Sequence, residues 1–242
     1  MRRQLPAIAQ MARSSRSQWS YYAHRLLQKV SGGRAGFFSY VVVAQPVGTS
    51  RGPSLRTDPR TRVGVIAAGD PLIAAFPRPA SVNKARFEAG SRCHVVTVDG
   101  VFAGHIWIAE RAFDEDEVRC RFVLPCQPLC CWDFDVYVSP QYRAGRTMAR
   151  LWQAVDADLS RRGHAWTLSR IARGNRASLL AHERLGALPL ATVNFLVLGP
   201  LQVMYGSCRP WVHIGVARMS QPAIELPAPE PAASGADNRT TT

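Results

Sequence analysis

Lysine is almost missing from this chain of 242 residues: Lys29 and Lys84 stand against 28 arginines, and the formal charge of +13 is an arginine charge. Arginine binds phosphate in a bidentate manner that lysine cannot match. Here it is dispersed rather than gathered into a tail or one helix, so the charge does not by itself call for a nucleic-acid partner, and a codon bias accounts for it as readily. No apolar stretch approaches the roughly 18 to 20 residues that a membrane span needs; runs such as 40–44 and 195–198 have strand length. The motifs G-x-S-x-G, H-E-x-x-H and a phosphate loop ending in Gly-Lys-Ser/Thr are absent, which removes familiar hydrolase, metalloprotease and nucleotide-hydrolysing designs. Cys126, Cys130 and Cys131 lack a second ligand pair at zinc-site spacing, so no metal is expected, and the cysteines are read as free thiols of a reducing cytoplasm. Cys93-His94 fails as a nucleophile–base pair because neighbouring strand residues point to opposite faces.

What the chain does have is material for a core. Hydrophobic residues make up 47% and charged residues 19%, enough to offset the entropy of ordering one sizeable domain. Residues 1–17 read as a flexible basic leader, without the apolar centre of a signal peptide though compatible with a mitochondrial presequence. No Pro/Gly linker divides residues 18–220, which read as a single domain with a loop over 46–62; residues 221–242 read as a disordered Ala/Pro-rich tail.

Periodicity and punctuation predict helices over 19–30, 82–89, from about 145 to 163, and over 175–185. Strands are predicted over 37–44, 63–68, 93–98, 101–108, 118–124, 132–138, 166–171 and 192–198, the last closing the set. Asp99-Gly100 between two apolar runs marks a two-residue hairpin turn. The acidic run 114–117 reads as a solvated turn leading into a strand antiparallel to its predecessor. In 132–138 (WDFDVYV) alternation puts Trp132, Phe134, Val136 and Val138 on one face, and Asp133, Asp135 and Tyr137 on the other. The helix that follows carries Met148, Leu151, Trp152, Val155 and Leu159 as an apolar stripe at helical spacing. The crossover from 132–138 to 166–171 implies a parallel pair. The six tryptophans read as packing, with Trp107 a candidate wall for a pocket.

Two constellations carry chemistry. Residues 136–148 (VYVSPQYRAGRTM) run from a strand through a short turn into a helix, whose free amides and dipole, with Arg143 and Arg146 beside them, make an anion cradle suited to a pyrophosphate. Residues 175–186 (NRASLLAHERLG) place Asn175, Ser178 and His182 within about a 60° wedge of one helix face. Asn175 is also a helix cap by type.

The order of these pieces (hairpin, strand, V-x-V-x-P-x-Y-R turn, helix, strand, N-x-x-S-x-x-x-[Y/H]-E-x-x-G helix) resembles the GNAT superfamily of acyl-CoA-dependent N-acyltransferases, over about residues 90–198. The resemblance implies an α+β fold with a mixed, mostly antiparallel central sheet flanked by helices. It implies that Val136 and Val138 lend backbone hydrogen bonds to a pantetheine arm and that Arg143, Ala144, Gly145, Arg146, Thr147 and Met148 bind the pyrophosphate. Asn175, with Ser178 beside it, would contact the cofactor arm, and His182 stands where the family has the Tyr that protonates the leaving thiolate, a role open to imidazole. The pyrophosphate loop is degenerate: the family's two small positions read Arg146 and Met148, with Gly145 one residue away. Asp133 and Asp135 are candidates for the catalytic base, with Glu110 and His105 in reserve. The implied activity is acetyl transfer from acetyl-CoA to a primary amine of a small molecule, such as an amino sugar; the positive surface would suit an anionic acceptor such as a nucleotide-linked sugar. The rival expectations are a GNAT-like CoA-binding or regulatory module without turnover and a basic nucleic-acid-binding protein, and a homodimer is open.

Overall fold

The computed structural model describes residue 8 and residues 27–32, 34–48, 55–216 and 220–230. Strands β1 (Ala35–Pro46), β2 (Thr61–Ile66), β3 (Arg92–Val98), β4 (Val101–Ala109), β7 (Cys130–Val138), β8 (Trp166–Ala172), β9 (Leu188–Leu198), β10 (Leu201–Gly206) and β11 (Val212–Val216) form one sheet. Its order is β11-β10-β9-β1-β8-β7-β4-β3-β2. A second, three-stranded sheet joins β5 (Ala112–Asp114), β6 (Arg121–Val123) and β12 (Ala223–Glu225) in the order β12-β6-β5. Every neighbouring pair of the large sheet is antiparallel except β7 and β8. With helices α1 (Ala80–Glu88), α2 (Thr147–Arg161) and α3 (Arg176–Arg184), this is an α+β fold with a mostly antiparallel central sheet.

The hairpin turn is where the sequence expects it. Asp99 and Gly100 take φ of 51° and 79°, as a primed turn requires, and β3 pairs β4 from Val98↔Val101 outward. The apolar stripe of α2 divides in two. Leu151, Val155 and Leu159 are buried against Val96, Ala103, Ile106, Ile108 and Cys131 of the sheet, each contributing about 1.5–3 kcal/mol. Met148 and Trp152 line a cleft, Trp152 also packing against that core. On the same side of the sheet, Leu179 of α3 packs on Val41, Val43 and Ile171. The opposite side is covered by the small sheet, where Phe122 stacks on Trp132 at 4.8 Å, and by Phe87 of α1, set edge-on to Trp107 at 4.8 Å.

Several expectations are corrected. The main sheet does not close with 192–198: β9 continues into β10 and β11. Strand β6 pairs β5, not β4, in a sheet of its own. Residues 223–225 leave the tail to pair with β6, with Ile224 buried; 231–242 lie outside the described residues. So does the leader apart from Ile8, which is buried among Val41, Val43 and Leu179. Residues 27–30 are helical, and the rest of the helix expected over 19–30 lies outside the described residues. Cys126 and Cys130 form a disulfide, so only Cys93, Cys120, Cys131 and Cys208 are free thiols, all buried. Trp107 is fully buried in packing and walls no cleft. No described helix is long and apolar enough to cross a membrane.

Candidate active site

The parallel pairing of β7 with β8 lasts three residues: Cys130, Cys131 and Trp132 against Trp166, Thr167 and Leu168. Beyond Trp132 the two strands part, leaving their facing backbone edges without a partner strand. A bulge bends β7 at this point. Asp135 takes φ 46°, and the register against β4 slips so that Asp135 and Val136 together oppose Ile106. A cleft of about 1070 Å³ fills the opening, a volume that suits a cofactor-sized ligand. Its lining comes from both faces of the sheet. Asp133, Ser169, Met148, Trp152 and His182 line it on the helix side; Phe113, Phe134, Asp135, Arg170 and the acidic residues 115–117 line it on the other.

On the helix side His182 and Asp133 both line the cleft. His182 Nδ1 donates to the carbonyl of Ser178, 2.9 Å away, so the neutral ring carries its proton there and leaves Nε2 as its acceptor. Asp133 is buried and accepts from Thr167 Oγ1 at 2.7 Å. Burial raises its carboxyl above the ordinary carboxylate range, against the opposing pull of His182 and the hydrogen bonds from Thr167 and Ser169.

The bulge separates Asp135 from Asp133, which strict alternation had put on one face. Asp135 accepts from Arg78 at 3.0 Å and from Arg86, and His105 Nε2 stands 3.5 Å away. Burial alone would raise its carboxyl, but His105 and the two guanidiniums outweigh that and hold it far below the usual range. This carboxylate is already committed to two arginine partners. The acidic run is no free solvated turn either. Glu115 takes both oxygens to Arg170 (2.6 and 2.8 Å), Glu117 accepts from Tyr40 Oη at 2.7 Å and lies 3.0 Å from Arg170, and Asp116 pairs with Arg86 at 3.0 Å. The reserve residues have other duties: Glu110 pairs with Arg162, and His105 is buried and stacked on Phe76 at 4.4 Å.

At the anion cradle, a 3-10 turn over Pro140–Tyr142 leads into α2, whose start has no side-chain cap. The first-turn amides of Thr147, Met148 and Ala149 thus keep the donors that helix geometry leaves over. Gly145 and Met148 line the cleft, and Arg143, Ala144, Gly145 and Arg146 are exposed beside it. Arg143 is turned back, its Nε donating to Val138 O at 2.9 Å and its guanidinium over Tyr137.

Of the residues singled out from the sequence, Asp133, Asp135, Val136, Gly145, Met148, Ser178 and His182 meet at the cleft. Val138, Arg143, Ala144, Arg146, Thr147 and Asn175 do not line it; Thr147 is buried, and Asn175 spends its side chain capping α3 through Ser178 N at 3.1 Å. Sequence reasoning missed Thr167, Ser169 and Arg170. The signal was present in 166–171 (WTLSRI), where Thr167 and Ser169 put hydroxyls on one face and Leu168 and Arg170 lie on the other. Among the described residues no group of three or more His, Cys, Asp or Glu could hold a metal.

No protein-family model matches the chain, and no curated protein does. Among solved structures, a functionally unknown conserved protein from Staphylococcus epidermidis is similar at a TM-score of 0.49 and 10% identity, over 72% of this chain and 67% of that one. A protein assigned as a GNAT-family acetyltransferase, from Novosphingobium aromaticivorans, is similar at a TM-score of 0.44 and 17% identity, over 65% of this chain and 62% of that one. The yncA protein from Salmonella typhimurium, solved with acetyl-CoA, is similar at a TM-score of 0.38 and 17% identity, over 52% of this chain and 79% of that one.

Proposed function

We propose that this chain is an N-acyltransferase that moves an acetyl group from acetyl-CoA to a primary amine of a small molecule by direct attack. One observation carries the reading: β7 and β8 pair as parallel strands for three residues and then part around a cleft that holds His182. The residues present fit acetyl-CoA. The β7 backbone beyond Trp132 offers unpaired amide and carbonyl groups to a pantetheine amide, and the uncapped start of α2 offers donors to a pyrophosphate. Arg146 and Arg143 add charge there. When bound, acetyl-CoA supplies an activated thioester carbonyl.

The chain's own residues supply the proton chemistry. An amine attacks only when neutral, and the Nε2 lone pair of His182 is the acceptor for its proton. Asp133, which lines the same cleft and is held by Thr167, is electrostatically linked to His182. Trp152 and Met148 line the cleft on the helix side.

Calorimetric titration with acetyl-CoA, desthio-CoA and ADP, at low and roughly 0.3 M salt, tests the reading together with a free-thiol release assay on mixed amines. Acetyl-CoA binding that survives salt and requires the pantetheine arm, with thiol release on adding amine, is the expected result. Binding without release would leave a CoA-binding module, and acetyl-CoA binding no tighter than ADP would remove the cofactor site.

A further inference from the structure

The cleft extends past His182. Helices α2 and α3 follow β7 and β8 and run back along one face of the sheet, so their lining residues mark depth. These are Met148, Trp152 and Asp156 along α2, and Ser178, His182 and Leu185 along α3. At the deep end stands Gln45 of β1. Alternation from Val41 and Val43, which pack with Leu179, sets Gln45 on this helix side. It pairs with Thr167 near the start of β8, about 6–7 Å further along than the pair of Val43 and Ser169.

Gln45 is 5% exposed, lines the cleft, and leaves its Oε1 without a hydrogen-bond partner. A buried carboxamide left unpaired costs stability that an apolar side chain of like size does not, so packing gives no reason for glutamine at this position. Its neighbours have partners of their own. Thr167 Oγ1 donates to Asp133 at 2.7 Å, and the Gly48 amide donates to Asp156 Oδ1 at 2.9 Å. A carboxamide turns easily about its last bond and presents either its oxygen or its nitrogen. A ligand hydroxyl, which both donates and accepts, matches it in either orientation. A hydrocarbon would leave it unpaired, and a carboxylate would meet the charge of Asp156. Trp152, Leu55 and Leu185 line the same stretch and suit a carbon stem.

Resting on the acyltransferase reading, we infer that this deep end is an acyl subsite and that the donor it selects carries a hydroxylated acyl group longer than acetyl. With the thioester at His182 and the pantetheine arm leading out past Met148 to the start of α2, the part of the donor that continues inward is the acyl chain, and its hydroxyl bonds Gln45. Acetyl is the shortest group the subsite admits and does not reach Gln45. The transfer is the same for either: the amine nitrogen bonds the acyl carbon, the C–S bond breaks, and the proton lost by the amine ends on the released thiol.

The test compares CoA thioesters in pairs of similar shape: 3-hydroxybutyryl with 3-methylbutyryl, and 4-hydroxybutyryl with pentanoyl. Binding of each to the intact protein is measured by calorimetry without an amine, beside ADP, and thiol release is measured with one fixed amine. In at least one pair the hydroxylated donor is expected to bind about fivefold more tightly, the scale of one buried hydrogen bond, and to show a kcat/KM higher by a similar factor. Gln45→Met keeps the length of the side chain and removes both of its hydrogen-bonding ends; it is expected to bring that ratio to about one. The comparison on the unaltered protein needs no variant to fold, and a ratio cancels any general loss in the variant. Thioesters that bind more tightly than ADP with no preference for the hydroxyl, or a preference that survives Gln45→Met, overturn the inference and leave the acyltransferase reading standing. Thioesters that all bind no better than ADP remove that reading, and the inference with it.

Discussion

His182 and Ser178 are joined by a hydrogen bond one helical turn long, from the imidazole Nδ1 to the backbone carbonyl at 2.9 Å. A carbonyl oxygen can only accept, so this bond fixes the tautomer of the neutral ring and leaves Nε2 as the acceptor. Replacing His182 with glutamine keeps a polar amide near the Nε2 position but removes proton transfer. His182→Gln is expected to lower kcat by about 10²- to 10⁴-fold while leaving the acetyl-CoA dissociation constant within about twofold. Steady-state thiol release and calorimetric titration check the two halves. A variant that loses acetyl-CoA binding as well would place His182 in the cofactor site instead.

Asp133 is a buried carboxyl in the cleft lining. Burial raises its folded-state carboxyl, so the folded protein retains a proton that the unfolded chain gives up above about pH 4. Stability therefore falls as pH rises from there toward the folded value. Asparagine keeps the oxygen that accepts from Thr167 and cannot ionise. Asp133→Asn is expected to raise the thermal midpoint at pH 8, to raise it less near pH 4, and to lower kcat by more than about tenfold. Thermal unfolding across that range, with an activity assay on the same samples, decides it; a variant less stable at pH 8 would show that the charge is stabilised in place.

Local chemistry was legible in the sequence and long-range chemistry was not. The Asp99-Gly100 turn depends on two residues' own φ preferences, and the β7–α2–β8 crossover depends on one strand, one stripe and one breaker; both came out as read. The helix wedge was half legible, since Ser178 and His182 reach the cleft while Asn175 is used up as the cap. The bulge at Asp135 could not be read, because its partners Arg78 and Arg86 lie 57 and 49 residues away. Alternation assumes an unbroken strand, and one inserted residue moves a side chain to the other face. The acidic turn misled for a similar reason: its arginine partners come from α1 and β8.

The two arginines on Asp135 are expected to differ sharply. The Arg86 side chain is 8% exposed and also lies over Trp107 and Phe134 at 5.4 and 5.1 Å. Arg86→Met removes a buried partner from two carboxylates and is expected to cost about 3–5 kcal/mol. Arg78 is 47% exposed, and Arg78→Met is expected to cost less than about 1 kcal/mol. Because Asp135 is held far below its unfolded value, the stabilisation is complete above about pH 4 and erodes below it, as the unfolded chain takes up a proton that the folded one still refuses. Urea unfolding at pH 7 and pH 2 should therefore show the Arg86→Met deficit shrinking in acid. Equal costs for the two variants would mean that the bulge is held by something other than this pairing.

Gly104 sits where β4 passes closest to β7, opposite Val138. A Cβ there would run into the Tyr137 carbonyl oxygen and approach Val138 Cα at 3.2 Å. Backbone cannot swing aside as a side chain can, so the added methyl has to push the end of β7 outward, and with it the turn into α2: the Ser139 amide is tied to Ala103 O at 2.8 Å. Gly104→Ala is expected to cost about 1–3 kcal/mol, the usual scale of overpacking. On the proposed function it should also weaken acetyl-CoA more than stability alone explains, because the free edge of β7 and the amides of α2 move relative to each other. Gly64→Ala on β2 is the control. Its added Cβ meets nothing within 4 Å, and the change is expected to stay within about 0.5 kcal/mol of neutral with acetyl-CoA binding intact. Measuring both variants by urea unfolding and by acetyl-CoA titration separates a general loss of a strand glycine from a local shift of the cleft. If Gly104→Ala were destabilised but bound acetyl-CoA as the unaltered chain does, the end of β7 would not be part of the cofactor site.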